Sequence, residues 1–213
     1  MFRLRRADLV GILGFLADVN ELESDTSYPI AILARLQDLI ACDGLGYQEI
    51  DVPARRFGTT VCFPTHPEDH EEDDRLYWTV GPCPICDYRD RTGDLSAVRM
   101  SDVISRARYH ELPVYREYHQ PGGIRDMMDV GLPAGPGRHR SFLLCRGSES
   151  SAFSERDRDV LEALRPHFRA LEVRASLRRQ LSEALTTPAE GRPTAYTGLT
   201  TREREIVDRK SVV

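Results

Sequence analysis

The hydropathy period of the chain changes at Asp43-Gly44, and that change limits its fold more than any other feature. Before it, apolar residues recur every three or four positions. Leu9, Ile12, Leu13, Leu16 and Val19 do so within residues 7–22, and Ile30, Ile32, Leu33, Leu36, Leu39 and Ile40 repeat the pattern. Each set marks one buried face of a helix, and Ser24, Asp25, Thr26 and Ser27 offer capping side chains ahead of the second. After the change, Leu45, Tyr47, Ile50 and Val52, then Thr59-Thr60-Val61-Cys62-Phe63, are rich in β-branched and aromatic side chains. Pro53 to Arg56 separates the two runs, so two antiparallel strands joined by a short turn are predicted. Helices followed by paired strands give an α+β fold.

Residues 64–74 are Pro, His and acidic groups, read as an exposed loop or a short acidic helix, and Leu76-Tyr77-Trp78-Thr79-Val80 is the next buried segment. Gly81-Pro82-Cys83-Pro84 argues against regular structure, and Arg89 to Gly93 reads as a turn. A third helical region starts at Ser101-Asp102, carries Val103, Ile104, Ala107 and Leu112, and ends or bends at Pro113. Residues 124–132 and 141–145, parted by Pro133 to Gly137, supply strands that complete a sheet of about five. Ser154 with Asp157 caps a long helix bearing Leu161, Leu164, Phe168, Leu171, Ala175, Leu177, Leu181 and Leu185. So narrow a stripe on so long a helix exceeds what one core needs, and its second half is expected to pack on a partner helix. Residues 186–198 read as a linker.

With 213 residues and 40% hydrophobic content, one substantial domain with a smaller appendage is expected. No run approaches the ~20 apolar residues that cross a bilayer. The opening Met-Phe-Arg-Leu-Arg-Arg leads into an amphipathic pattern rather than a signal-peptide core, so a cytoplasmic protein without membrane contact is expected. Five scattered cysteines favour reduced thiols over a disulfide framework. A net charge of −5 argues against the chain gripping phosphates unaided.

The segment Leu199-Thr200-Thr201-Arg202-Glu203-Arg204-Glu205-Ile206-Val207 resembles the start of the LuxR-type helix-turn-helix domain, whose pattern is Leu-Thr-x-Arg-Glu-x-Glu-Val-Leu. Thr200 or Thr201 caps the helix, Glu203 is the reciprocal acid, and Ile206 and Val207 begin the apolar face. The family continues with an apolar pair, a small residue and a glycine, whereas Arg209-Lys210-Ser211-Val212-Val213 is polar and then ends. The recognition helix is absent, so no residue is assigned DNA binding, and a chain truncated in the DNA-binding domain is expected. Cys86 to Asp94, Arg99 to Asp102, Leu112 to Tyr118, and Phe153 to Asp157 through Pro166-His167 resemble the GAF-like sensory halves of actinobacterial LuxR-type regulators. The resemblance implies a GAF-like sensory domain at 1–153, a central antiparallel sheet of about five strands flanked by helices. A closing and dimerisation helix at 154–185, a linker at 186–198 and a truncated helix-turn-helix at 199–213 follow. The implied function is relay of a small-molecule or partner signal through a homodimer to DNA, reached only through the missing domain. The alternative is a ligand-free interaction and dimerisation scaffold.

Tyr47, Phe63, Tyr77, Trp78, Tyr109, Tyr115, Tyr118, Met127 and Met128 are the aromatic and soft side chains that line small-molecule pockets. Because strands alternate faces, only some can share one, and Tyr47, Trp78 and Tyr115 are the ligand-binding candidates. His66, His70, Cys83 and Cys86 form His-x3-His and Cys-x2-Cys pairs in reversed structural-zinc order. Pro82 and Pro84 flank the first thiol and acidic neighbours keep the histidines solvated, so exposed histidines and a buried thiol are the favoured reading and no metal or cofactor is assigned. No nucleophile elbow, P-loop, paired-carboxylate or His-Glu-x-x-His pattern occurs, and no enzyme activity is expected.

Overall fold

The computed structural model describes residues 4–22, 28–63 and 70–186. The Ser24 to Ser27 caps, His66, most of the linker and the Leu199 to Val213 segment lie outside the described residues. Helix α1 (Arg6–Glu21) and α2 (Ile30–Leu39) precede the hairpin of β1 (Gly44–Asp51) and β2 (Arg56–Phe63). Then come α3 (His70–Val80) and α4 (Pro84–Thr92), the two-residue β3 (Val98–Arg99), and the short α5 (Met100–Val103) and α6 (Arg106–Glu111). A π-helical turn over Val114–His119 leads to β4 (Asp126–Leu132), β5 (Arg138–Arg146) and the 32-residue α7 (Glu155–Thr186). The sheet is antiparallel throughout, in the order β2-β1-β5-β4-β3.

Two segments differ from the sequence reading, for reasons of backbone chemistry. Leu76 to Val80 is the last part of α3. Around Cys83-Pro84 the prolines start a helix instead of preventing one. Pro84 sits in the first turn, where its missing N–H is no loss, and Gly93, at φ 69°, closes α4 in the left-handed region. The fifth strand is therefore Val98–Arg99, which pairs with Met128 and Asp129.

The sheet has a core on each face. On one, Leu33, Leu36 and Ile40 from the α2 side, Phe142 and Leu144 from β5, and Leu161, Leu164 and Phe168 from α7 are fully buried. Each such side chain contributes about 1.5–3 kcal/mol of burial. The start of α7 is fixed by a reciprocal cap: the Ser154 N–H donates to the Asp157 carboxylate at 2.9 Å and the Asp157 N–H to the Ser154 hydroxyl at 3.2 Å. On the other face, Tyr77, Cys83, Ile85, Val98, Met100, Tyr109, Tyr115 and Met127 form a second cluster.

Helix α1 presents a different face from the one its leucines suggest. Asp8, Ile12, Phe15 and Val19 are buried, while Leu9 and Leu13 are 50% and 65% exposed. Asp8 binds the Arg156 guanidinium at 2.7 Å, and Phe15 meets Phe168 edge-on with centroids 6.3 Å apart. These two contacts with α7 set the helix rotation.

One compact unit runs from Met1 to Ser176, and a second spans Leu177–Val213, of which residues 177–186 are described and are helical. Among the described residues no helix is long and apolar enough to cross a membrane.

Candidate functional site

A cavity of about 90 Å³ lies between the second face of the sheet and the α3, α4 and π-helical segments. Its floor is Gln48 and Ile50 of β1, Phe57 of β2, Met127 and Asp129 of β4, and Leu143 of β5. Its walls are Tyr77 of α3, Cys83, Ile85 and Cys86 at the start of α4, and Tyr118 and His119 of the π-helical turn, with Ile124 beyond it. The extra residue per turn of a π-helix brings the adjacent Tyr118 and His119 to the same wall, and such turns recur at functional sites.

The polar groups at the wall are few and held in place. Asp129 is buried against the Arg89 guanidinium, whose Nε lies 2.8 Å and Nη2 2.5 Å from Oδ1; both side chains are 5% exposed. Arg89 also donates to the carbonyls of Asp94 at 2.5 Å and Ser96 at 3.1 Å. The Asp129 charge is thus matched beneath the cavity. His119 shares a 2.8 Å hydrogen bond between Nδ1 and the Tyr109 hydroxyl, and burial lowers its pKa to about 4, so its imidazole is neutral near pH 7. The Gln48 amide donates to the Ser141 hydroxyl at 3.3 Å. The Tyr77 hydroxyl accepts from the Cys83 N–H at 3.4 Å and donates to the Cys86 sulfur at 3.6 Å.

The three sequence candidates fall in different places. Tyr47 points to the opposite face of β1, packed against Tyr28 and Phe142 with centroids 4.5 Å and 5.5 Å away. It is the neighbouring Gln48 that reaches the cavity, since successive strand side chains alternate faces. The Tyr47 hydroxyl joins Glu49 and Arg140 instead. Trp78 is half-buried on α3 against Phe57 and Tyr77, and its indole N–H is buried without a hydrogen-bond partner. Tyr115 stacks on His110 at 4.2 Å within the second core, behind the wall. Of the wider aromatic and methionine set, Tyr77, Tyr118 and Met127 line the cavity.

Phe57, Gln48, His119, Asp129 and Leu143 also line it and were not singled out from sequence; the pleat and the π-helical turn bring them there. Of the four residues in zinc-like spacing, Cys83 and Cys86 come together at the cavity, and His66 lies outside the described residues.

A larger open groove of about 500 Å³ runs past the end of the sheet between Glu49, Asp51, Arg56, Pro133, Arg138 and Arg140. Four of its charges are paired: Arg138 with Asp51 at 3.2 Å, and Arg140 with Glu172 at 2.5 Å and Glu49 at 3.3 Å. Such satisfied surface pairs leave little unspent attraction for a ligand.

No family model matches the sequence, and no curated protein matches it either. Solved structures share the fold. The LBD domain of VqsR from Pseudomonas aeruginosa is 16% identical, with a TM-score of 0.55 over 81% of this chain and 98% of that one. SdiA of Escherichia coli is 15% identical, with a TM-score of 0.53 over 95% and 78% of the two chains, and SdiA is also known in complex with octanoyl-rac-glycerol. The GAF domain of a phosphoenolpyruvate-protein phosphotransferase from Coxiella burnetii is 12% identical, with a TM-score of 0.53 over 81% and 96%. The described domain has the GAF-like architecture: an antiparallel sheet between two helical layers, closed by a long C-terminal helix.

Proposed function

We propose that the chain is the sensory portion of a LuxR-type transcription regulator, in which a small effector between the sheet and α4 is read out through pairing of α7. The observation that carries the reading is the cavity: an apolar recess with few polar groups, in a fold shared with a domain described as ligand-binding. Its chemistry favours an uncharged, compact, mostly apolar molecule. Asp129 is already neutralised by Arg89 and His119 is uncharged, so a charged effector would lose hydration without finding a free counter-charge. Gln48 and His119 remain to orient one polar group of the ligand.

The relay half of the proposal rests on α7. Val173, Leu177 and Leu181, four residues apart on one helical stripe, are 52%, 60% and 62% exposed, which suits pairing with a second copy. Leu171, which belongs to the same sequence stripe, is buried in the main core and serves the fold instead.

A ligand-free scaffold is the second reading, and the cavity's volume favours it. About 90 Å³ is well below the ~300–1,000 Å³ of typical ligand pockets. Thermal unfolding of the purified chain with a compact, uncharged, mostly apolar probe such as propan-2-ol, alongside native mass spectrometry for retained molecules, separates the two. A probe at a hundredfold its Kd adds about 2.7 kcal/mol. For a domain of this size that raises Tm by roughly 5–10 °C. No shift, no retained molecule, and an unchanged Tm when Leu143→Phe fills the recess would establish the scaffold.

A further inference from the structure

The cavity wall contains a thiol pair that the sensory reading does not use. Cys83-Pro84-Ile85-Cys86 places Cys83 at the N-cap of α4 and Cys86 at the third position of its first turn. Side chains at these positions face each other, the relation that capping boxes exploit, and residues three apart there lie within the span a disulfide bridges. Both thiols line the same wall of the cavity. Pro84 between them fixes one φ of the turn and withholds no needed N–H, so the pair sits on a rigid frame. Tyr77 closes the arrangement, bonded to the Cys83 N–H and to the Cys86 sulfur.

We propose that Cys83 and Cys86 are a hydroperoxide-reactive dithiol, and that oxidation closes a reversible disulfide in the cavity wall. Both residues line the cavity, and its roughly 90 Å³ admits a molecule of two heavy atoms such as hydrogen peroxide. Cys42, Cys62 and Cys145 do not line it. The roles of the two sulfurs differ. Cys83, at the N-cap of the nine-residue α4, makes no capping hydrogen bond through its sulfur, which is left to face the cavity and meet the peroxide first. The neighbouring Cys83 thiol, and then burial, raise the pKa of Cys86, which therefore keeps its proton until the second step.

In the first step the Cys83 sulfur attacks one peroxide oxygen. The O–O bond breaks, hydroxide departs and takes up the thiol proton as water, and Cys83 becomes a sulfenic acid. In the second, the Cys86 sulfur attacks the Cys83 sulfur. The S–O bond breaks, and hydroxide leaves with the Cys86 proton as a second water. Two thiols and one hydrogen peroxide give one disulfide and two waters, with two electrons passing from sulfur to peroxide oxygen. The product removes both thiol protons next to Tyr77 and ties the first turn of α4 across itself, so the redox state changes one wall of the cavity.

The test uses the whole reduced chain, treated with stoichiometric hydrogen peroxide, quenched with iodoacetamide and digested with trypsin. Residues 76–89, cut after Arg75 and Arg89, carry both cysteines in one peptide. That peptide should appear two hydrogens lighter and unalkylated, form about ten-fold faster than Cys42, Cys62 or Cys145 is lost, and revert with dithiothreitol. In Cys86→Ser, dimedone should trap a sulfenic acid on Cys83, and in Cys83→Ser peroxide should leave Cys86 unmodified. The proposal falls if the wild-type peptide stays a dithiol while the other cysteines oxidise, or if Cys86 reacts equally fast without Cys83. The wild-type mass measurement needs no variant to fold, and it reads sulfur chemistry whether or not the cavity takes an effector.

Discussion

The Arg89–Asp129 pair lies under the cavity floor, and removing one partner should damage the domain more than removing both. Arg89 makes two contacts with the Asp129 carboxylate, a third with the Asp129 carbonyl at 3.1 Å, and two more with the Asp94 and Ser96 carbonyls. At 5% exposure on each side, water can replace none of these readily. Arg89→Met keeps the apolar stem but leaves a buried carboxylate uncompensated, which costs about 3–5 kcal/mol. For a domain of this size the corresponding drop in Tm is about 6–20 °C. Asp129→Leu strands the guanidinium and should cost a similar amount. The double variant Arg89→Met/Asp129→Leu removes both charges together, so it should recover the part of the loss due to the unpaired charge, while the Asp94, Ser96 and Asp129 carbonyls still lose their donor. Urea unfolding followed by far-ultraviolet circular dichroism, at one fixed protein concentration, completes the double-mutant cycle. A single-variant cost under about 1 kcal/mol would refute the reasoning, as would a double variant whose loss is the sum of the singles.

Four further outcomes follow from the same structure. His119 has a folded pKa of about 4 against 6.5 when unfolded. Between those values the unfolded chain binds the proton and the folded chain does not, so stability should fall by about 3 kcal/mol as pH drops from 6.5 to 4. His119→Gln should lose that part of the slope, and equal slopes in urea midpoints between pH 7 and 4.5 would contradict this. A Cβ at Gly131 would stand 2.8 Å from Leu95 and 2.9 Å from the Arg89 guanidinium, so Gly131→Ala should cost about 1–3 kcal/mol, seen as a lower Tm. Arg146 holds the Ala41, Ser151 and Ala152 carbonyls and lies 4.0 Å over the Phe153 ring. Arg146→Lys cannot reproduce that fork and should destabilise by about 2 kcal/mol in the same urea assay. If α7 pairs as proposed, Leu177→Asp with Leu181→Asp should sediment as a monomer and keep the far-ultraviolet circular dichroism of the fold, because both side chains are exposed in the single chain.

The cavity's makeup shows why local pattern reads elements better than sites. Tyr47 and Gln48 are adjacent, and an aromatic is the natural sequence choice for a pocket. The pleat, fixed by pairing Tyr47 with Phe142 and Val61, sends the tyrosine to the main core and the amide to the cavity. Arg89 looked like a turn residue because its partner, Asp129, is forty positions away. The prolines around Cys83 looked like breakers because proline excludes a helix interior but suits a helix start, and only the position of the first turn distinguishes the two.

The sequence by itself determined the α+β order, the opening helices, the hairpin at residues 44–63, the last two strands and the capped α7, because each depends on periodicity and caps within a few residues. Tertiary structure decided which faces turn inward. Spacings of three and four fit both Leu9-Leu13 and Asp8-Ile12-Phe15 on α1, and only contacts with Arg156 and Phe168, more than 140 residues along, select the second. It also decided the cavity, since its lining comes from four strands, two helices and a π-helical turn. Local energies select the elements; their rotation and register are set by buried pairs whose partners lie far away in the chain.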